Sequence, residues 1–97
     1  MEAQLIGRIT ARLRAARHAG RADFSRLIAA VHDNRRLWTT LAAEVADGDN
    51  ALPEKLRAQI FYLAEFTGQH SQQVIRGRAD VDALIDVNTA ILRGLNG

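Results

Sequence analysis

The chain has 97 residues, 47% of them hydrophobic and 25% charged, with a formal net charge of +2, which describes one folded domain over residues 1–97 and excludes a chain disordered throughout. It contains no cysteine, so disulfide stapling and thiolate chemistry are excluded and a reducing cytoplasm is the expected location. No apolar run approaches the roughly 20 residues of a membrane span, and the charged start, MEAQLIGRITARLRAARHAG, lacks the apolar core of a secretory signal.

Residues 2–18 are predicted as a first helix, because Leu5, Ile6, Ile9, Leu13 and Ala16 recur at the three- and four-residue spacing of one face. That stripe is narrow, which suits a helix packed onto others more than one that founds the core, and Gly20 supplies a stop. Arg8, Arg12, Arg14, Arg17 and Arg21 crowd this segment against Glu2 as its only acid. A basic arm of this kind can bind nucleic acid or an acidic protein surface. A solvated helix face is the favoured reading, since arginine is a good helix former and no aromatic residue interleaves for base stacking.

Asp23 is placed to cap a second helix running to about Ala46, roughly 35 Å at 1.5 Å per residue. Phe24, Leu27, Ile28, Val31, Trp38, Leu41, Ala42 and Val45 share its apolar face. Asp33 and Asn34 are weak helix formers in its middle and mark a site for a slight bend. Asp47-Gly48-Asp49-Asn50 is a turn by composition. Pro53 suits the first position of a third helix, which should reach about Arg76 and stop at Gly77, with Leu56, Ile60, Leu63, Thr67, His70 and Val74 as its main stripe. Asp80 then caps a fourth helix carrying Val81, Leu84, Ile85, Ile91 and Leu92 and ending at Gly94. Nothing alternates with period two, and the connections are short. The expected fold is all-α, a compact antiparallel bundle of about four helices.

Some positions break the apolar pattern. Asn34 lies within roughly 40° of Trp38 on a helical wheel, and Asn88 sits amid Leu84, Ile85, Ile91 and Leu92. A buried amide without partners costs about 1–3 kcal/mol, so both should be hydrogen-bonded, to the residue 47–52 turn or to each other, and read as packing-register residues. His70 on the core stripe reads as a satisfied histidine. With His18 and His32 it has no metal-ligand spacing, so no metal or cofactor is expected. Ser25 and Ser71 have no nearby base and the glycines form no phosphate cradle, so the chain does not read as an enzyme. The third helix is apolar nearly all round through Ile60-Phe61-Tyr62-Leu63-Ala64-Glu65-Phe66, and Phe61, Ala64, Gly68 and Ile75 trace a second stripe. Such a helix is either central in its own protein or half of an interface. The basic first helix could cover the second stripe; a partner helix, or a second copy of the chain, could equally occupy it.

Several spaced residues carry a resemblance: Asn34 with Leu37-Trp38, then Asp49-Asn50-Ala51-Leu52-Pro53 with Leu56-Arg57, Val74 with Arg76-Gly77, Leu84-Ile85 with Asn88, and Gly94-Leu95. Over residues 2–97 the chain resembles the alphaproteobacterial flagellar biosynthesis regulators of the FlaF family. Proteins of that pattern usually carry a further N-terminal stretch before the position of Glu2, often with a Ser-Pro-Arg-Glu-like element, which is lacking here, so no role of that arm carries over. The resemblance implies a cytoplasmic protein needed for flagellin production, which binds newly made flagellin as an export chaperone and works with FlbT, a repressor of flagellin mRNA translation. It places Asn34, Leu37, Trp38, Asn50, Leu52, Pro53, Arg57 and Asn88 in the family pattern, where Trp38, Pro53 and Asn88 read as structural. Phe61, Tyr62, Ala64, Phe66, Gly68 and Ile75 are the candidate contacts to flagellin, whose amphipathic terminal segments need an apolar groove to shield them. The alternative is a regulator binding flagellin mRNA through Arg8, Arg12, Arg14 and Arg17.

Overall fold

The computed structural model describes residues 3–17 and 23–96, the side chain of Asn96 excepted. Four helices follow in order: α1 Ala3–Arg17, α2 Phe24–Ala46, α3 Glu54–Ile75 and α4 Asp82–Asn96. No strand occurs among the described residues, so the all-α expectation holds. Each helix packs on the next, and α1 also packs on α4, closing the four into a ring. Every adjacent pair runs antiparallel: Arg12 of α1 meets Asp33 of α2, and Arg17 of α1 meets Asp82 of α4 while Thr10 meets Asn88. Leu56 of α3 lies against Gly94 of α4, and His70 reaches Asp80 at the other end of the same pair. The result is an elongated bundle of 44 × 22 × 16 Å.

The boundaries follow local chemistry. Asn50 makes the α2–α3 corner. Its Nδ2 donates to the Glu44 carbonyl at 3.2 Å, its Oδ1 accepts from the Leu52 amide at 2.9 Å, and its own amide donates to the Asp47 carbonyl at 3.1 Å. One side chain thus satisfies groups on both sides of the turn. Pro53 is the N-cap of α3, one place earlier than expected; its carbonyl accepts the Arg57 amide at 3.0 Å, and its missing N–H leaves no donor orphaned. At the far end Gly77 adopts φ +72°. There Arg78 donates to the Gln73 carbonyl and Gly77 to that of Val74, the two bonds of a Schellman stop.

Three sequence expectations are corrected. Asp23 occupies the N-cap position of α2 but makes no capping hydrogen bond; its carboxylate pairs with Arg26 instead. Gly94 does not end α4, which continues to Asn96. A Cβ there would come within 3.3 Å of Leu56 Cδ1, so the glycine serves the close approach of α4 to α3. Phe24 is exposed although it falls on the apolar face of α2, and Leu5 is half-exposed, while Thr10 of α1 is buried. The expected stop at Gly20 lies outside the described residues, and α2 runs unbroken through Asp33 and Asn34.

The core has two apolar lobes. One gathers Ile6, Ile9, Leu37, Leu41, Val45, Ile60 and Ile91 around Trp38; the other gathers Leu13, Ala16, Val31, Val74, Val81, Leu84 and Ile85. Between them every helix contributes buried polar residues: Thr10, Asn34, Thr67 with Ser71, and Asn88. Asn88 is the hub. Its Oδ1 accepts from Trp38 Nε1 at 2.7 Å, and its Nδ2 donates to Asn34 Oδ1 at 2.8 Å and to Thr10 Oγ1 at 3.1 Å. Thr10 in turn donates to the Ile6 carbonyl at 2.6 Å. The two asparagines therefore bond to each other, the second of the two options their positions left open, although Asn34 Nδ2 stays buried without a partner among the described residues. They also bind three helices in one register, because a slip of α4 along α1 or α2 would break all three contacts of Asn88.

Candidate functional site

The groove between α2 and α3 is the feature that α3's surplus of apolar residues builds. It encloses about 420 Å³ and is lined from α2 by Arg35, Trp38, Thr39 and Ala42, and from α3 by Phe61, Ala64, Glu65, Thr67 and Gly68. Trp38 and Thr67 are buried and form the floor. Arg35 and Glu65 stand across the rim with opposite charges. Phe61 is 59% exposed, and a Cβ on Gly68 would meet nothing within 4 Å. An open glycine in a helix interior costs about 1 kcal/mol relative to alanine and here gains no packing in return, which leaves room above the groove floor. No residue of α1 lines the groove. α1 packs on α2 and α4 instead, so the second stripe of α3 is not covered by the basic helix.

The structure divides the six candidate contact residues. Phe61, Ala64 and Gly68 come together in the groove. Tyr62, 73% exposed, and Phe66, 37% exposed, lie on the open face of α3 beside Glu65 and Gln69. Phe66 also stacks on His70 with ring centroids 5.3 Å apart. The His70 Nε2–H donates to the Asp80 carbonyl at 2.9 Å, so that ring is held as a structural group. Ile75 is half-buried against the second core lobe with Leu27 and Ala79, one end of the helix away from Phe61. Among residues singled out for the family pattern, Trp38, Asn34 and Asn88 form the buried network, Leu37 lies in the first lobe, and Asn50, Leu52 and Pro53 build the corner. Arg57 is half-buried on α3 with an unpartnered Nε.

Sequence reasoning missed Thr10, a threonine on a narrow stripe that looks like a surface residue until α4 brings Asn88 against it. It also missed Arg35, Thr39 and Ala42 as one wall of the groove, since that wall depends on how α2 is rotated against α3. The arginines of α1 do not form one basic stripe. Arg12 pairs with Asp33 of α2, Arg17 pairs with Asp82 of α4 at 3.3 Å, and Arg14 donates to Thr89 at 3.2 Å. Arg8 and Arg12 thus lie toward α2, Arg14 and Arg17 toward α4. A phosphate backbone needs neighbouring free cations along one track, which the four arginines of α1 do not provide by themselves.

Among the described residues no group of His, Asp and Glu could hold a metal ion, and no helix is long and apolar enough to cross a membrane. Residues 1–95 match the family described as flagellar protein FlaF. Neither curated proteins nor solved structures give a match.

Proposed function

The chain belongs to the FlaF family of flagellar proteins, and we propose that it binds newly made flagellin in the cytoplasm through the α2–α3 groove, as an export chaperone and positive regulator of flagellin synthesis that works alongside FlbT. The observation that carries this reading is the uncovered outer face of α3. Phe61 overhangs a groove floored by Trp38 and roofed by nothing, next to Tyr62 and Phe66. Large apolar side chains left in contiguous patches are the usual mark of a protein-binding surface, and a groove between two antiparallel helices suits the apolar stripe of a third. No chemistry is required of the protein. An amphipathic flagellin end that is unstructured before assembly would fold against the groove, and export would release it. Ordering that segment offsets part of the contact energy, so the affinity should be moderate.

The test is titration of the protein with flagellin N- and C-terminal fragments, and separately with the flagellin mRNA leader, at two salt concentrations. Flagellin binding that changes little with salt is expected, and Phe61→Asp should abolish it while leaving the thermal midpoint within a few degrees of wild type, since a side chain this exposed contributes little to the core. Tight RNA binding that weakens steeply with salt, without flagellin binding, would overturn the reading in favour of a nucleic-acid regulator. If instead the wild type sediments as a dimer and Phe61→Asp as a monomer, the face serves self-association.

A further inference from the structure

A second cleft lies on the other side of α2, between α1 and α2. It encloses about 520 Å³, and none of its lining residues belongs to the α2–α3 groove. Its floor is apolar, made of Leu5, Ile9 and Leu37, and Leu5 is left 38% exposed there. Its walls carry Arg8, Arg12 and Arg36, with Asp33 the only acid. That single carboxylate is shared between Arg12 and Arg36, the latter at 3.5 Å, while Arg8 has no ion pair among the described residues. Among the described residues, three guanidiniums therefore face one carboxylate, and most of their donors have no partner there. The imbalance extends beyond the cleft. The first 40 residues hold eight arginines and three acids, whereas the rest of the chain holds five basic residues and eight acids. Two depressions that share Arg12, Asp33 and Arg36 with the cleft add Arg26 and His32 beside it.

We infer that this cleft is a second docking site, for an acidic segment of another protein that presents one or two large apolar side chains flanked by Asp or Glu. Charge complementarity sets the sign of the partner: guanidinium forks pair with carboxylates bidentately, and the surrounding positive field steers an acidic chain toward them. The apolar floor makes the partner a polypeptide. A nucleic acid would use the arginines but not Leu5, Ile9 and Leu37, and no aromatic side chain lines the cleft on which a base could stack. With one groove on each side of α2, the protein can hold two different chains at once. The inference stands apart from the flagellin reading, because it rests on other residues.

The experiment is selection of a random peptide library on the immobilised full-length protein, with counter-selection on the Arg8→Glu, Arg36→Glu double variant. Both arginines are exposed, and unchanged circular dichroism of the variant confirms its fold; should charge reversal unfold it, Arg8→Gln with Arg36→Gln gives the same comparison. Surviving peptides are expected to be rich in Asp and Glu around a large apolar residue and to perturb the amide resonances of Leu5, Arg8, Ile9 and Leu37. They should bind the double variant about tenfold or more weakly, lose affinity as salt rises, and bind Phe61→Asp as well as wild type. Absence of enrichment, neutral or basic survivors, or perturbations confined to α3 would overturn the inference. So would a short single-stranded RNA that binds the same residues more tightly than the peptides. Self-association abolished by the double variant would assign the cleft to a second copy of the chain instead.

Discussion

Asn88 shows how much a single side chain can settle. It is fully buried and holds the indole of Trp38, the amide of Asn34 and the hydroxyl of Thr10 at once. Asn88→Ala removes all three contacts and strands Trp38 Nε1 in the core, along with Asn34 Oδ1. Stranding a buried polar group costs about 1–3 kcal/mol, so the expected loss in urea denaturation is about 3 kcal/mol or more, a large share of the 5–15 kcal/mol typical of a small domain. The hydroxyls of Thr67 and Ser71 in the same layer are unpartnered, so they contribute nothing comparable. The two asparagines could be picked out from their place among apolar residues. Their partner Thr10 could not, because the pairing joins residues 78 positions apart and depends on α1 closing against α4.

At the level of the helices, the apolar stripes fixed where each element lies to within a residue or two. What they could not settle was the meaning of each glycine. Gly77 and Gly94 look alike in sequence, each following an apolar run, yet one is a left-handed helix stop and the other admits Leu56 between α3 and α4. Gly68 is a third kind. It has ordinary helical geometry and open space above it, so nothing within the chain requires a glycine there. Gly68→Leu should raise stability by about 1 kcal/mol, the helix-propensity gain, seen as a higher urea midpoint. It should also fill the α2–α3 groove and abolish binding of flagellin fragments. Stability and binding moving in opposite directions would separate a groove used by a partner from one that is only a packing defect. The surplus of apolar residues on α3 was legible beforehand; which neighbours it lacks was not, because that depends on the order of the helices around the ring.

For the whole molecule, the ring of four antiparallel helices joins the ends of the chain. α2 and α3 meet across a short turn, but α1 and α4 are held by contacts such as Thr10–Asn88 and Arg14–Thr89, among the longest-range in the chain. This has a kinetic consequence. Loop closure must be completed before distant contacts stabilise anything, so the α2–α3 hairpin should assemble first, with α1 closing on α4 after the rate-limiting step. Thr10→Val, which deletes a hydrogen bond of about 1 kcal/mol, is then expected to leave the refolding arm of a stopped-flow chevron in place and to accelerate unfolding by roughly fivefold, the signature of a contact made late. A protein built this way can loosen its first helix while the α2–α3 groove stays formed.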